Sequence, residues 1–143
     1  MIRLFFIFLL LFASQISCCQ VKLIRDKQSI DSFCNKFMQT FSERKFTEAI
    51  ETLKIYSVID PIKIDDLIYT VERQMGILGD TFGKNLSYEF IAEKNVKGVL
   101  LKRVYLLKFE KMCLKFDFRF YNNGHGWTIT NFNYSEDIDD LLN

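Results

Sequence analysis

The hydrophobic period of this chain changes once, from helical spacing to strict alternation near Leu86, and that change constrains what it can build. Before it, Phe33, Phe37 and Phe41 recur every four residues, with Ile30, Cys34 and Met38 on the adjacent line. The spacing predicts a helix from Ser29 to about Arg44 with a wide apolar stripe. Ser29 suits an N-cap and Asp31 the first turn. Phe46, Ala49, Ile50 and Leu53 share one face of a second, shorter helix that Thr47 can cap. Ile55 to Ile59 reads as an extended link. Asp60-Pro61 then supplies an N-cap followed by Pro at the first helical position. Ile64, Leu67, Ile68, Val71, Met75 and Leu78 keep helical spacing up to Gly79, a suitable residue just past a helix end.

After Leu86, Tyr88, Phe90 and Ala92 alternate with Glu89, Ile91 and Glu93, and Lys97-Gly98 marks a turn. Val99 to Glu110 is apolar at both parities: Leu101, Tyr105, Leu107 and Phe109 on one, Leu100, Val104 and Leu106 on the other. Such a strand is central or covered on both sides. Leu114, Phe116, Phe118 and Phe120 alternate with Lys115, Asp117 and Arg119, the pattern of a half-buried strand. Asn123-Gly124 signals a hairpin, because both residues tolerate positive φ. Trp127, Ile129, Phe132 and Tyr134 close the sheet, and the parity shift between Ile129 and Phe132 predicts a bulge. Ser135 can cap a short acidic tail. The expected fold class is α+β, three helices on one face of a four-stranded antiparallel meander.

The N-terminus reads as an address. Met1-Ile2-Arg3 is short and positive, Leu4 to Ala13 is an unbroken apolar run, and Ser14 to Ser17 is small or polar. This is the layout of a secretory signal, and the run falls short of the roughly 20 residues a membrane span needs. The expected organisation is a cleaved signal peptide over 1–19, a short tether over 20–28 and a single domain over 29–143. Cys18 and Cys19 follow the apolar run in a way that resembles the lipobox of bacterial lipoproteins. Ser17 fits if Cys18 is the acceptor, and Ile16 fits if it is Cys19. The resemblance implies an exported, membrane-anchored envelope lipoprotein held by acyl chains. The alternative is cleavage before Gln20, which gives a periplasmic or secreted protein.

Arg3 is the only charge before Gln20, so the remaining 18 acidic residues are balanced by all but one of the 19 basic ones. No basic excess is present to hold a phosphate backbone, which argues against nucleic acid as a partner. Cys34 and Cys113 read as unpaired thiols, with a disulfide between them as the alternative that export allows, and no CxxC, His cluster or Asp-rich loop accompanies them. No metal or cofactor is expected.

The stretch Phe37-Met38-Gln39-Thr40-Phe41 through Phe46-Thr47-Glu48-Ala49-Ile50, with the closing Phe120-Tyr121-Asn122-Asn123-Gly124-His125-Gly126-Trp127-Thr128-Ile129, resembles the NTF2-like (cystatin-like) superfamily. The resemblance covers about residues 29–134 and implies that the sheet curves into a cone. It speaks to fold and hardly to function, since that superfamily holds enzymes, transport factors and assembly domains. It implies that a catalytic set, if present, is a carboxylate or His inside the cone.

No such set stands out. His125 lies between two glycines in a turn, while Asp117, Glu89 and Glu93 alternate away from the apolar face. Arg103 shares parity with Leu101, Tyr105 and Leu107, so if that parity faces the helices its guanidinium needs a carboxylate or an anionic ligand. Otherwise it lies on the outer face or snorkels. Tyr69, Tyr88, Tyr105 and Trp127 either line a pocket or pack as core. The expected pocket set is Phe37, Tyr69, Phe90, Arg103, Tyr105, Phe118 and Trp127. The leading functional expectation is a non-enzymatic exported module that binds a protein or itself as a homodimer, through the sheet face carrying Leu100, Val104 and Leu106. The alternatives are a binder of small apolar ligands in the cone interior and an enzyme of isomerase or dehydratase type.

Overall fold

Three helices lead into four strands, as the change of period requires. The computed structural model describes residues 21–142. Helices α1 (Lys27–Ser42), α2 (Phe46–Tyr56) and α3 (Pro61–Phe82) precede strands β1 (Asn85–Val96), β2 (Leu100–Phe109), β3 (Cys113–Asn122) and β4 (Trp127–Ser135), and a 3-10 turn, Asp139–Leu141, follows. The strands pair in sequence order, all antiparallel. Lys97 (φ 53) and Gly98 (φ 68) occupy the left-handed region in the β1–β2 turn. The expected bulge in β4 falls at Thr130, between the Arg119↔Asn131 and Phe120↔Ile129 pairs.

The sheet is flat and open, not curved into a cone, and this corrects the NTF2-like (cystatin-like) assignment. The position of the bulges supplies the physical reason. Bulges bend the strand that carries them, and here they sit only where the two edge strands pair, β1 with β2 and β4 with β3. The central β2–β3 ladder runs from Leu100↔Tyr121 to Lys108↔Cys113 with no shift, so nothing bends the middle of the sheet. The readings built on a cone fall with it: the exported NTF2-like module, the ligand in a cone interior and the isomerase or dehydratase. Among the described residues no helix is long and apolar enough to cross a membrane, so they lend no support to a membrane-anchored protein. Cys18, Cys19 and the signal segment lie outside the described residues.

Local chemistry moves several boundaries. Asp26, not Ser29, caps α1, its carboxylate accepting from the Ser29 N–H at 2.8 Å. Thr47 does not cap α2; its hydroxyl donates to Glu72 on α3 at 2.9 Å. Helix α3 continues past Gly79 because Phe82 is buried against Phe109, ring centroids 5.5 Å apart, and Gly83 (φ 80) ends it instead. The stretch read as a tether is bonded into the fold. Ile24 is buried, and it exchanges two backbone hydrogen bonds of 2.7 Å with Trp127.

The core lies between the helices and the odd-numbered face of β2. Phe37 meets Phe118 edge-on at 5.1 Å and Phe132 at 5.1 Å, and Phe41 meets Phe116 at 4.9 Å. Edge-to-face contacts of this kind add about 0.5–1.5 kcal/mol each beyond area burial.

Candidate functional site: a cation-rimmed groove

Five of the seven expected pocket residues form one continuous chain under α1. Phe37 touches Phe118, Phe118 touches Tyr105 at 6.0 Å, and Tyr105 touches Phe90 at 5.4 Å. The Arg103 guanidinium lies over the Phe90 ring at 4.8 Å and the Tyr105 ring at 6.0 Å. Tyr69 stands apart, exposed on α3, and Trp127 is held by Ile24. Of the seven, only Phe37 borders a described cavity.

Arg103 faces the helices and is 6% exposed. It pairs with Asp31 of α1 and, at 3.2 Å, with Glu93 of β1. These contacts are ionic; the Nε and Nη1 atoms make no hydrogen bond of good geometry. Glu93 also takes Lys27 at 2.5 Å. The alternation assigned Glu93 to the outer face, but the bulge at Ile91, between the Phe90↔Tyr105 and Ala92↔Val104 pairs, flips the parity and turns it inward. The signal for it was the demand of Arg103 for a carboxylate, since hairpin register places Glu93 opposite Arg103.

The remaining titratable candidates are structural. His125 is exposed in the β3–β4 loop, its N–H donating to Asn123 Oδ1 at 2.9 Å. Glu89 is exposed and paired to Lys108 at 2.9 Å. Asp117 points away from the helices but is only 6% exposed, buried by Lys102 at 2.9 Å and Arg119 at 3.3 Å. Cys34 and Cys113 form no disulfide among the described residues. Burial pushes the Cys34 thiol up to about 12, with Arg103 and the Tyr105 hydroxyl acting weakly the other way. A thiol held protonated at neutral pH is a poor nucleophile. Among the described residues no group of three His, Cys, Asp or Glu side chains could hold a metal ion.

A groove of about 590 Å3 opens between α1, α2 and the arm of residues 22–25. Phe33, Phe37, Ala49 and Tyr56 line it from the helices, and Leu23 and Ile24 from the arm. Lys22, Arg25 and Lys36 stand at the rim, with Glu48 as its one carboxylate. None of the three cations makes an ion pair among the described residues. Lys22 instead lies over the Tyr56 ring at 5.7 Å. The arm is fixed by the Ile24–Trp127 exchange and by the Lys22 N–H donating to the Ile55 carbonyl at 3.0 Å. Gly126 lets it approach: a Cβ there would fall 2.9 Å from Leu23 Cβ and 3.0 Å from the Ile24 carbonyl oxygen.

Sequence reasoning missed this groove because its walls come from three segments, one of them read as a tether. A signal was present in the basic residues Lys22, Arg25 and Lys36, which flank the helical Phe stripe. No family model, curated protein or solved structure matches the chain.

Proposed function

We propose that the domain is a small-ligand binding module whose α1–α2 groove takes an amphipathic anion, an apolar body with a carboxylate, sulfate or phosphate head. The observation that carries this reading is the set of unpaired cations, Lys22, Arg25 and Lys36, around aromatic walls. Apolar pockets with a few convergent polar groups are the usual form of ligand sites. The walls gain by burying the ligand's body, and the cations, none of them in an ion pair among the described residues, favour a negative head.

The test compares decanoate with decanol by isothermal titration calorimetry on the purified protein. Decanoate is expected to bind more tightly than decanol. Its affinity should fall at least tenfold in the Arg25→Gln/Lys36→Gln double variant and also fall with added salt. Equal binding of the two probes, or no binding of either at millimolar concentration, overturns the reading.

A further inference from the structure

The two edges of the sheet differ. The β4 edge is partly occupied, by Ile24 bridging Trp127 and Ser57 bridging Ile129. No described segment pairs with the outer edge of β1. Proteins blunt free edges with short strands, proline, charged side chains, bulges or a covering segment. Strand β1 carries two bulges and the charges Glu89, Glu93 and Lys94, but it is 12 residues long, contains no proline, has no covering segment among the described residues, and exposes Leu86, Phe90, Ile91 and Val96.

We propose that β1 pairs antiparallel with β1 of a second copy about a two-fold axis between Ile91 and Ala92. The partner is named by the charges. Lys94 lies opposite Lys102 within its own sheet and makes no ion pair among the described residues, while Lys102 is drawn to Asp117. Like charges directly opposite one another are unfavourable, so Lys94 lacks a carboxylate on its free side. In the two-fold register Glu89 of each copy, which holds Lys108 of its own sheet at 2.9 Å, falls opposite Lys94 of the other and shares its carboxylate between the two ammonium groups, and symmetry makes that arrangement twice.

The facing of the side chains allows this register and excludes one shifted by a single residue. Opposed residues in an antiparallel pair must share a face. Glu89 is paired with Leu106 and Lys94 with Lys102, which places both on the face away from the helices. Tyr88, paired with Leu107, and Asn95, paired with Leu101, both face the helices and also fall opposite one another. The Ile91 bulge sits at the axis and leaves Ser87–Phe90 and Glu93–Val96 regular on either side. The contact uses the strand's backbone edge, so it leaves the groove open and is independent of what the groove binds.

Sedimentation velocity on the full chain tests the proposal, with variants checked for native circular dichroism. The wild type should sediment as a dimer. Lys94→Glu sets two carboxylates opposite each other, and Glu89→Lys sets two ammonium groups; each should raise the dimer dissociation constant at least tenfold. The double charge swap, Glu89→Lys with Lys94→Glu, should restore it. A monomeric wild type, single variants as dimeric as the wild type, or a swap that fails to recover the dimer each overturns the proposal.

Discussion

The two faces of the sheet solve different problems with similar residues. The inner face, under the helices, buries Phe116, Phe118 and Phe120 in a network of rings and admits Arg103 together with its carboxylates, Asp31 from α1 and the inward-turned Glu93 of β1. Among the described residues no α-helix packs on the outer face. It carries ion pairs instead: Lys102 and Arg119 meet at Asp117, which lies opposite Val104, and Lys115 reaches Asp140 in the tail beyond β4. Val104 is buried all the same. Long charged side chains can therefore act as a thin second layer, because their aliphatic stems lie along the apolar surface while their heads reach water.

The faces should respond differently to mutation, and the largest effect is expected on the inner one. Phe118→Ala removes a ring that touches Phe33, Phe37, Tyr105, Phe120 and Phe132. A loss of about 3–5 kcal/mol in urea unfolding is expected; a loss below about 1 kcal/mol would erase the contrast between the faces. Arg103→Leu comes next, at about 1–3 kcal/mol. Breaking a fully buried pair costs more, but the Asp31 side chain is 41% exposed and can turn to water. An unchanged denaturation midpoint would show that the apolar replacement compensates for the lost pair.

The smallest effect belongs to the outer face. The hydrogen bond from Lys115 holds the Asp140 carboxyl below the ordinary aspartate range. A carboxyl lowered in the folded state stabilises fully above its unfolded pKa, and that contribution is lost as pH falls through the lowered value. Amide exchange over residues 136–142 should therefore quicken relative to the helices as pH drops below about 4, and Asp140→Asn should give the quickened pattern at neutral pH. Protection that does not depend on this carboxylate would mean the tail is held by something else.

The inner face was largely legible in the sequence, because a helical stripe of Phe and an alternating strand of Phe have one economical way to meet. The outer face was legible in direction but not in burial: Asp117 points away from the helices as its parity requires, yet Lys102 and Arg119 bury it. Glu93 was misread because one bulge inverts every assignment beyond it. Curvature was misread because it depends on which strands carry the bulges, and the sequence located only the one in β4. The groove was hidden by distance along the chain, since the arm is held by Trp127 rather than by anything near it in sequence.

The bond between Ile24 and Trp127 also bears on how the protein is made. The arm at residues 22–25 finds its partner only in β4, far along the chain, and α1 packs its ring stripe on Phe116, Phe118 and Phe132 of β3 and β4. A ribosome builds the chain from the other end. Until β3 and β4 are made, Phe33, Phe37 and Phe41 therefore have no strand to cover them, and non-local pairing of this kind is slow to form. A nascent chain in that condition is prone to aggregate. Holding factors should engage it early and release it only once β4 has cleared the exit tunnel.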